Sequence, residues 1–295
     1  MKKTVYNFII AERYGIFYFC LQGILCILFF IPSCLSNYDM CNYFYDEMIT
    51  IYEQNLSYFE TLIKTMAVIS AIFSGLVYKI TLISGLFVIS VFLFRKSKYK
   101  KIKPLLSTRF VLFWSCVGIL LNMSTTVFVN LFLEIFPAAG RFNIVFSDNN
   151  PENYILSLLA IGIIAPVTEE IVFRYSIFSA LNNYCRTFVI IYSSLFFAIM
   201  HINPIQIGYA FILGALFGYL YSETENFLIP VLLHVSINSS SMIAQYSKNP
   251  DFLLLALAIC ALPVVIYNIL PDSGKNFLLY KKRSHNETFD AEDGS

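Results

Sequence analysis

Apolar residues in this chain run in long unbroken blocks, not in the alternation of a half-buried strand. A helix needs roughly 20 mostly apolar residues to cross about 30 Å of hydrocarbon. Eight blocks qualify as spans: residues 14–31, 66–94, 110–136, 154–181, 188–202, 205–221, 227–246 and 252–269. The second is overlong and holds Lys79, which reads as a side chain reaching along a tilted helix to water. The fifth is short and stops near Pro204. The expected fold is therefore all-α and polytopic, with about eight transmembrane helices. Residues 1–150 hold about three spans, an outer loop and a basic loop. Residues 151–246 form a helical core, 247–270 the last span, and 271–295 a polar tail.

Composition agrees with that picture and adds little to it. Of 295 residues, 58% are hydrophobic and 13% charged, against roughly 45–50% and about 25% in a soluble chain. This excludes a disordered chain, a collagen-like chain and a secreted disulfide scaffold. The 20 Lys+Arg and 19 Asp+Glu nearly cancel, so nothing points to nucleic acid. Seven cysteines show no zinc-type spacing, and Cys34 and Cys41 on the outer side are expected to stay unpaired.

The distribution of positive charge changes the picture more. Fifteen of the 20 basic residues fall on one side of an eight-span chain: Lys2, Lys3 and Arg13, seven between Arg95 and Arg109, Arg186, and four from Lys275 to Arg283. Lys64, Arg141 and Lys248 fall on the other. The expectation is a multi-pass protein of the cell membrane with both termini in the cytoplasm. The first span is read as retained, because its apolar stretch is too long for a signal peptide.

An ionisable residue inside a span is a functional candidate by default. The fourth span reads Ala165-Pro166-Val167-Thr168-Glu169-Glu170-Ile171-Val172-Phe173-Arg174. Two adjacent carboxylates in hydrocarbon repel each other and lack water. Glu170 and Arg174 are four apart, so they can pair on one helix face. Glu169 points about 100° away and is left for general-base work. Two of the three histidines, His201 and His234, also lie in spans, and Asn238 shares a face with His234. Counted from the basic ends, Glu169 lies roughly 18 Å deep, His201 roughly 20 Å and His234 roughly 10 Å. One shared pocket is expected, opening toward the cytoplasm. Gly208, Gly214 and Gly218 resemble a small-residue packing face.

These residues resemble the signature of the CPBP (CAAX protease and bacteriocin-processing, or Abi) family of intramembrane endopeptidases. Glu169-Glu170-Ile-Val-Phe-Arg174 matches its first motif, Phe197-Ala-Ile-Met-His201 its second and His234-Val-Ser-Ile-Asn238 its third. The likeness covers about residues 155–242. It implies an active site inside the bundle that hydrolyses a peptide bond of a membrane-associated peptide or protein. It also implies that Glu169 and His201 activate a water, that His234 and Asn238 form the oxyanion hole, and that Glu170 and Arg174 support them. No cofactor is expected. The alternative is zinc held by Glu169, His201 and His234. Two other functions stay open. One is a non-catalytic membrane partner, such as a bacteriocin-immunity factor or a regulator of a membrane sensor kinase. The other is a small transporter, disfavoured because no repeat is present. No prenyl-recognition element is legible.

Overall fold

In hydrocarbon every backbone N–H and C=O has to be satisfied within the protein, so apolar blocks wind into helices. The computed structural model describes residues 74–94, 107–142, 153–201, 203–247 and 249–269, with shorter stretches between 13 and 65. The described elements are helical. They are α1 (Gly15–Leu25), α2 (Tyr38–Glu53), α3 (Ser74–Phe94), α4 (Thr108–Ile135), α5 (Tyr154–Ala180), α6 (Arg186–Ile199), α7 (Pro204–Thr224), α8 (Leu228–Gln245) and α9 (Pro250–Ile269). The segment read as an outer loop thus contains α2. The loop 95–106, the tail with His285, and Cys26 and Cys34 lie outside the described residues.

Among the described residues, six helices are long and apolar enough to cross a membrane: α5, α7, α8, α9, α4 and most of α3. The chain is an all-α, multi-pass membrane protein. The first and fifth expected spans are the shorter helices α1 and α6. Lys79 is exposed near the start of α3, where its amine can reach an interface.

Local chemistry sets the helix ends. The Ser107 hydroxyl accepts from the Phe110 N–H at 3.1 Å and caps α4. Asn203 Oδ1 accepts from Ile205 N–H at 3.0 Å and Gln206 N–H at 3.3 Å, with Pro204 at the first helical position of α7. Glu225, at φ 52°, closes α7 in the left-handed conformation. These caps place the turn between α6 and α7. With 14 residues, α6 is about 21 Å long, short of the hydrocarbon thickness. His201 and Asn203 therefore sit at membrane depth.

Helices α4, α6 and α8 run one way, and α3, α5, α7 and α9 the other. At one end, Phe92 of α3 meets Tyr175 of α5 (centroids 4.7 Å) and Phe227 before α8 (6.0 Å), and Arg186 pairs with Glu223 at 2.6 Å. Here α3 ends and α4 begins, on either side of the basic segment 95–106, and this end is called the basic end. At the other end, Tyr154 of α5 meets Tyr246 after α8 (4.8 Å).

Close approach depends on small residues. Gly214 lies against Ser194 and Phe197 of α6, and Gly218 against Ile190, while Gly208 faces open space. Two of the three glycines in the α7 stripe thus form the packing face. A Cβ on Gly118 of α4 would stand 2.7 Å from the Leu233 carbonyl oxygen of α8, and that backbone cannot yield. Gly118→Ala is therefore expected to destabilise the protein by about 1–3 kcal/mol, read as a lower thermal midpoint in detergent. Gly208→Ala is the neutral control.

Candidate active site

Helix α5 is not uniformly wound. Residues Leu158–Ile164 and Ile171–Ser176 are π-helical, as in the hydrogen bond from Ala165 N–H to the Ala160 carbonyl five residues back. Such turns recur at functional sites because the extra residue re-aims the side chains that follow. Between them, one α-helical stretch, Ala165–Glu170, carries both glutamates.

Glu170 and Arg174 have no solvent exposure, and Glu170 Oε2 lies 3.1 Å from Arg174 Nε. Arg174 Nη2 also donates to the Gly214 carbonyl at 3.3 Å. Its guanidinium lies over the Phe197 ring at 4.7 Å and the Phe217 ring at 5.6 Å. The remaining Glu170 oxygen, Oε1, accepts from His234 Nδ1 at 2.8 Å. That contact assigns the Nδ1 proton and leaves Nε2 of a neutral imidazole as an acceptor. Nε2 stands 3.7 Å from Glu169 Oε2, too far for a direct hydrogen bond. The Glu169 side chain is 23% exposed, yet its Oε2 is buried without a hydrogen-bond partner.

One imidazole thus meets both glutamates from its two sides. His201 stands apart, with Nδ1 donating to the Phe197 carbonyl at 2.8 Å. The rings of His201 and His234 both pack edge-on against Phe197, at 4.8 and 5.5 Å. Asn238 Nδ2 donates to the Ile161 carbonyl at 3.1 Å, which uses one of its two protons. Among the described residues no three His, Cys, Asp or Glu side chains gather closely enough to hold a metal ion. Glu169, His201 and His234 therefore do not form such a group.

A partly open cavity of about 350 Å³ lies against His201, His234 and Asn238. Its polar wall includes Asn122, Thr125, Thr126 and Asn130 of α4, Gln206 of α7 and Ser241 of α8. Asn122 is itself held by α8: its Nδ2 donates to Ser240 Oγ at 2.8 Å, and its Oδ1 accepts from Ser241 at 3.0 Å. The cavity extends from the histidines toward the end opposite the basic loops. The sequence pointed to an opening at the cytoplasmic end, whereas most of the lining lies away from the basic end. A depth count measures distance along a helix and says nothing about which side is plugged by side chains.

Sequence reading missed the α4 wall, although polar residues at 122, 125, 126 and 130 mark one helix face in an apolar span. It also missed Phe217, whose partners are set only by packing. Tyr18 of α1, almost fully buried, lies within electrostatic reach of Glu169 and was likewise unmarked.

Removing one member of a buried ion pair leaves an uncompensated charge, at a cost of about 3–5 kcal/mol. Arg174→Ala is expected to lose that much stability in a thermal or denaturant melt in detergent. Glu169→Gln, which breaks no hydrogen bond, should shift the same melt by less than about 0.5 kcal/mol.

Residues 151–240 match the family described as Type II CAAX prenyl endopeptidase Rce1-like. The chain is 29% identical over 99 residues to the "Putative membrane peptidase YdiL" of Bacillus subtilis (strain 168), covering 33% of this chain and 41% of that one. It is 35% identical over 80 residues to the "UPF0177 protein YxdF" of Lactococcus lactis subsp. lactis (strain IL1403), covering 26% and 44%. The matched segment spans less than half the length of either relative. No solved structure matches the chain.

Proposed function

We propose that this chain, a member of the CPBP family through its core at residues 151–240, is an intramembrane endopeptidase acting on a membrane-associated peptide or protein. The observation that carries the reading is His234, bound through Nδ1 to Glu170 and facing Glu169 through Nε2. A base oriented by a third group is the arrangement that activates a nucleophile. Here Arg174 pairs with one oxygen of Glu170, the other oxygen fixes the tautomer of His234, and the free Nε2 faces Glu169, where the water would be activated.

The family resemblance assigns His201 to the water and His234 to the oxyanion. The contacts support the reverse pairing, because His234 Nε2 lies 3.7 Å from Glu169 while His201 is held by the Phe197 carbonyl. In this scheme the water loses a proton to Glu169 or His234, and its oxygen bonds to the scissile carbonyl carbon. The carbonyl electrons move to oxygen, where the second Nδ2 proton of Asn238 meets the developing charge. Collapse breaks the C–N bond, and the departing nitrogen takes the proton that Glu169 or His234 received from the water. His201, whose Nδ1 proton is held by the Phe197 carbonyl, lines the cavity beside them. Uncharged hydrogen-bonding groups around the cavity suit a peptide backbone in an otherwise apolar layer.

The test compares membrane peptides in cells carrying wild type, Glu169→Gln or no protein. Glu169→Gln and His234→Ala should each slow cleavage by about 10²–10⁴-fold, the usual contribution of a positioned acid–base group, with folding intact. Full activity in both variants overturns the reading. A phenotype that survives Glu169→Gln would instead fit a binding role. Hydrolysis is read as metal-independent, so purified active protein should retain activity after treatment with a chelator. Loss on chelation with recovery on adding zinc would establish the zinc alternative.

A further inference from the structure

The entrance to the cavity follows from where its walls lie along each helix. On α4 the lining starts at Asn122 and runs to Asn130, in the second half of Thr108–Ile135. On α8 it runs from His234 to Met242, toward the far end of Leu228–Gln245, and on α7 it begins at Gln206, two residues past the start. Helix α5 contributes Ile161, in its first third, and α6 only its last turn and His201. Since α5 and α7 run opposite to α4, α6 and α8, most of these positions lie toward one end of the bundle, with His234 and Phe217 at the inner limit of the cavity. It is the end that holds the Tyr154–Tyr246 contact.

Toward the basic end the described residues between the helices are tightly packed. Ile177, Leu181 and Leu233 have no exposure, Ile229 has 2% and Phe110 3%. A second cavity, of about 480 Å³, lies at the basic end and shares no lining residue with the first. Its lining includes Leu181 and Val189, both buried.

The loops and termini assigned to the basic side carry 15 of the 20 Lys and Arg residues, a bias that points to the cytoplasm for that side. We propose that the cavity is entered from the extracytoplasmic side, and that its substrate is an extended, uncharged peptide segment at that face of the membrane. This rests on the endopeptidase reading of the site. The chemistry of the wall fits such a segment: Asn122, Thr125, Asn130, Gln206 and Ser241 offer neutral donors and acceptors. An extended backbone in hydrocarbon has unpaired N–H and C=O groups that need such partners. A charged substrate side chain would find no opposite charge on this wall. A prenylated cytoplasmic tail would meet the tightly packed end.

Thiol labelling in intact cells tests the entrance independently of activity. Cys185 is exposed at the basic end, and hydrogen bonds from the Phe188 and Thr187 N–H groups lower its thiol pKa, which makes it a reactive internal reference. In a background with the other cysteines replaced, Gln206→Cys or Asn130→Cys should react fully with a membrane-impermeant thiol reagent in intact cells. Cys185 should react only after permeabilisation. The opposite pattern in both variants overturns the proposal. The substrate side is read from mass spectrometry of fragments that vanish with Glu169→Gln. Cut sites at the extracytoplasmic interface support the proposal, and cut sites on the cytoplasmic side overturn it. If no fragment depends on Glu169, the endopeptidase reading falls and the substrate assignment with it, while the labelling still decides the entrance.

Discussion

A fully buried ion pair, Glu170 with Arg174 at 3.1 Å, is the interaction on which the centre of this bundle depends. Neither charge is tolerable alone in a dry interior. Together they leave Glu170 one oxygen to spare, and that oxygen holds His234 of α8. Arg174 in turn reaches the Gly214 carbonyl of α7 and lies between the rings of Phe197 on α6 and Phe217 on α7. One salt bridge thus ties four helices, and it sets the tautomer of the histidine nearest Glu169.

A second constraint comes from the length of α6. A helix of 14 residues cannot cross the hydrocarbon, so the turn after it stays inside the apolar layer. Irregular backbone at that depth survives only when buried or lining a cavity. Asn203 caps the next helix with two backbone hydrogen bonds, and His201 lines the space beside it. The same shortness opens the cavity on the side away from the basic loops, where α6 ends and the polar face of α4 continues.

Glycine and serine make the rest of the geometry possible. Gly118 lets α4 lie against the backbone of α8, and Gly162 accepts a hydrogen bond from Ser239. Asn238 anchors to the Ile161 carbonyl. These contacts hold α8 in a register that brings His234 to both glutamates. A polar residue satisfied on two helices costs little burial energy and fixes register where packing of apolar side chains is permissive.

Much of this was legible in the residues themselves. The long apolar blocks marked the helices, because the bilayer punishes any unpaired backbone. Charge scarcity singled out Glu169, Glu170, Arg174, His201 and His234, because each is expensive at depth. The four-residue spacing of Glu170 and Arg174 gave their pairing, a local property of a helix that persists despite the π-wound turn between them. Contacts between helices were not legible in this way. That His234 and not His201 approaches Glu169, that Phe217 joins the site, and that apolar side chains plug the basic end all depend on the rotation and register of whole helices. Those are decided by packing among residues far apart in the chain. The sequence by itself determined which groups the membrane would force into partnership; only the tertiary structure decided which partner each one took and from which side the site is reached.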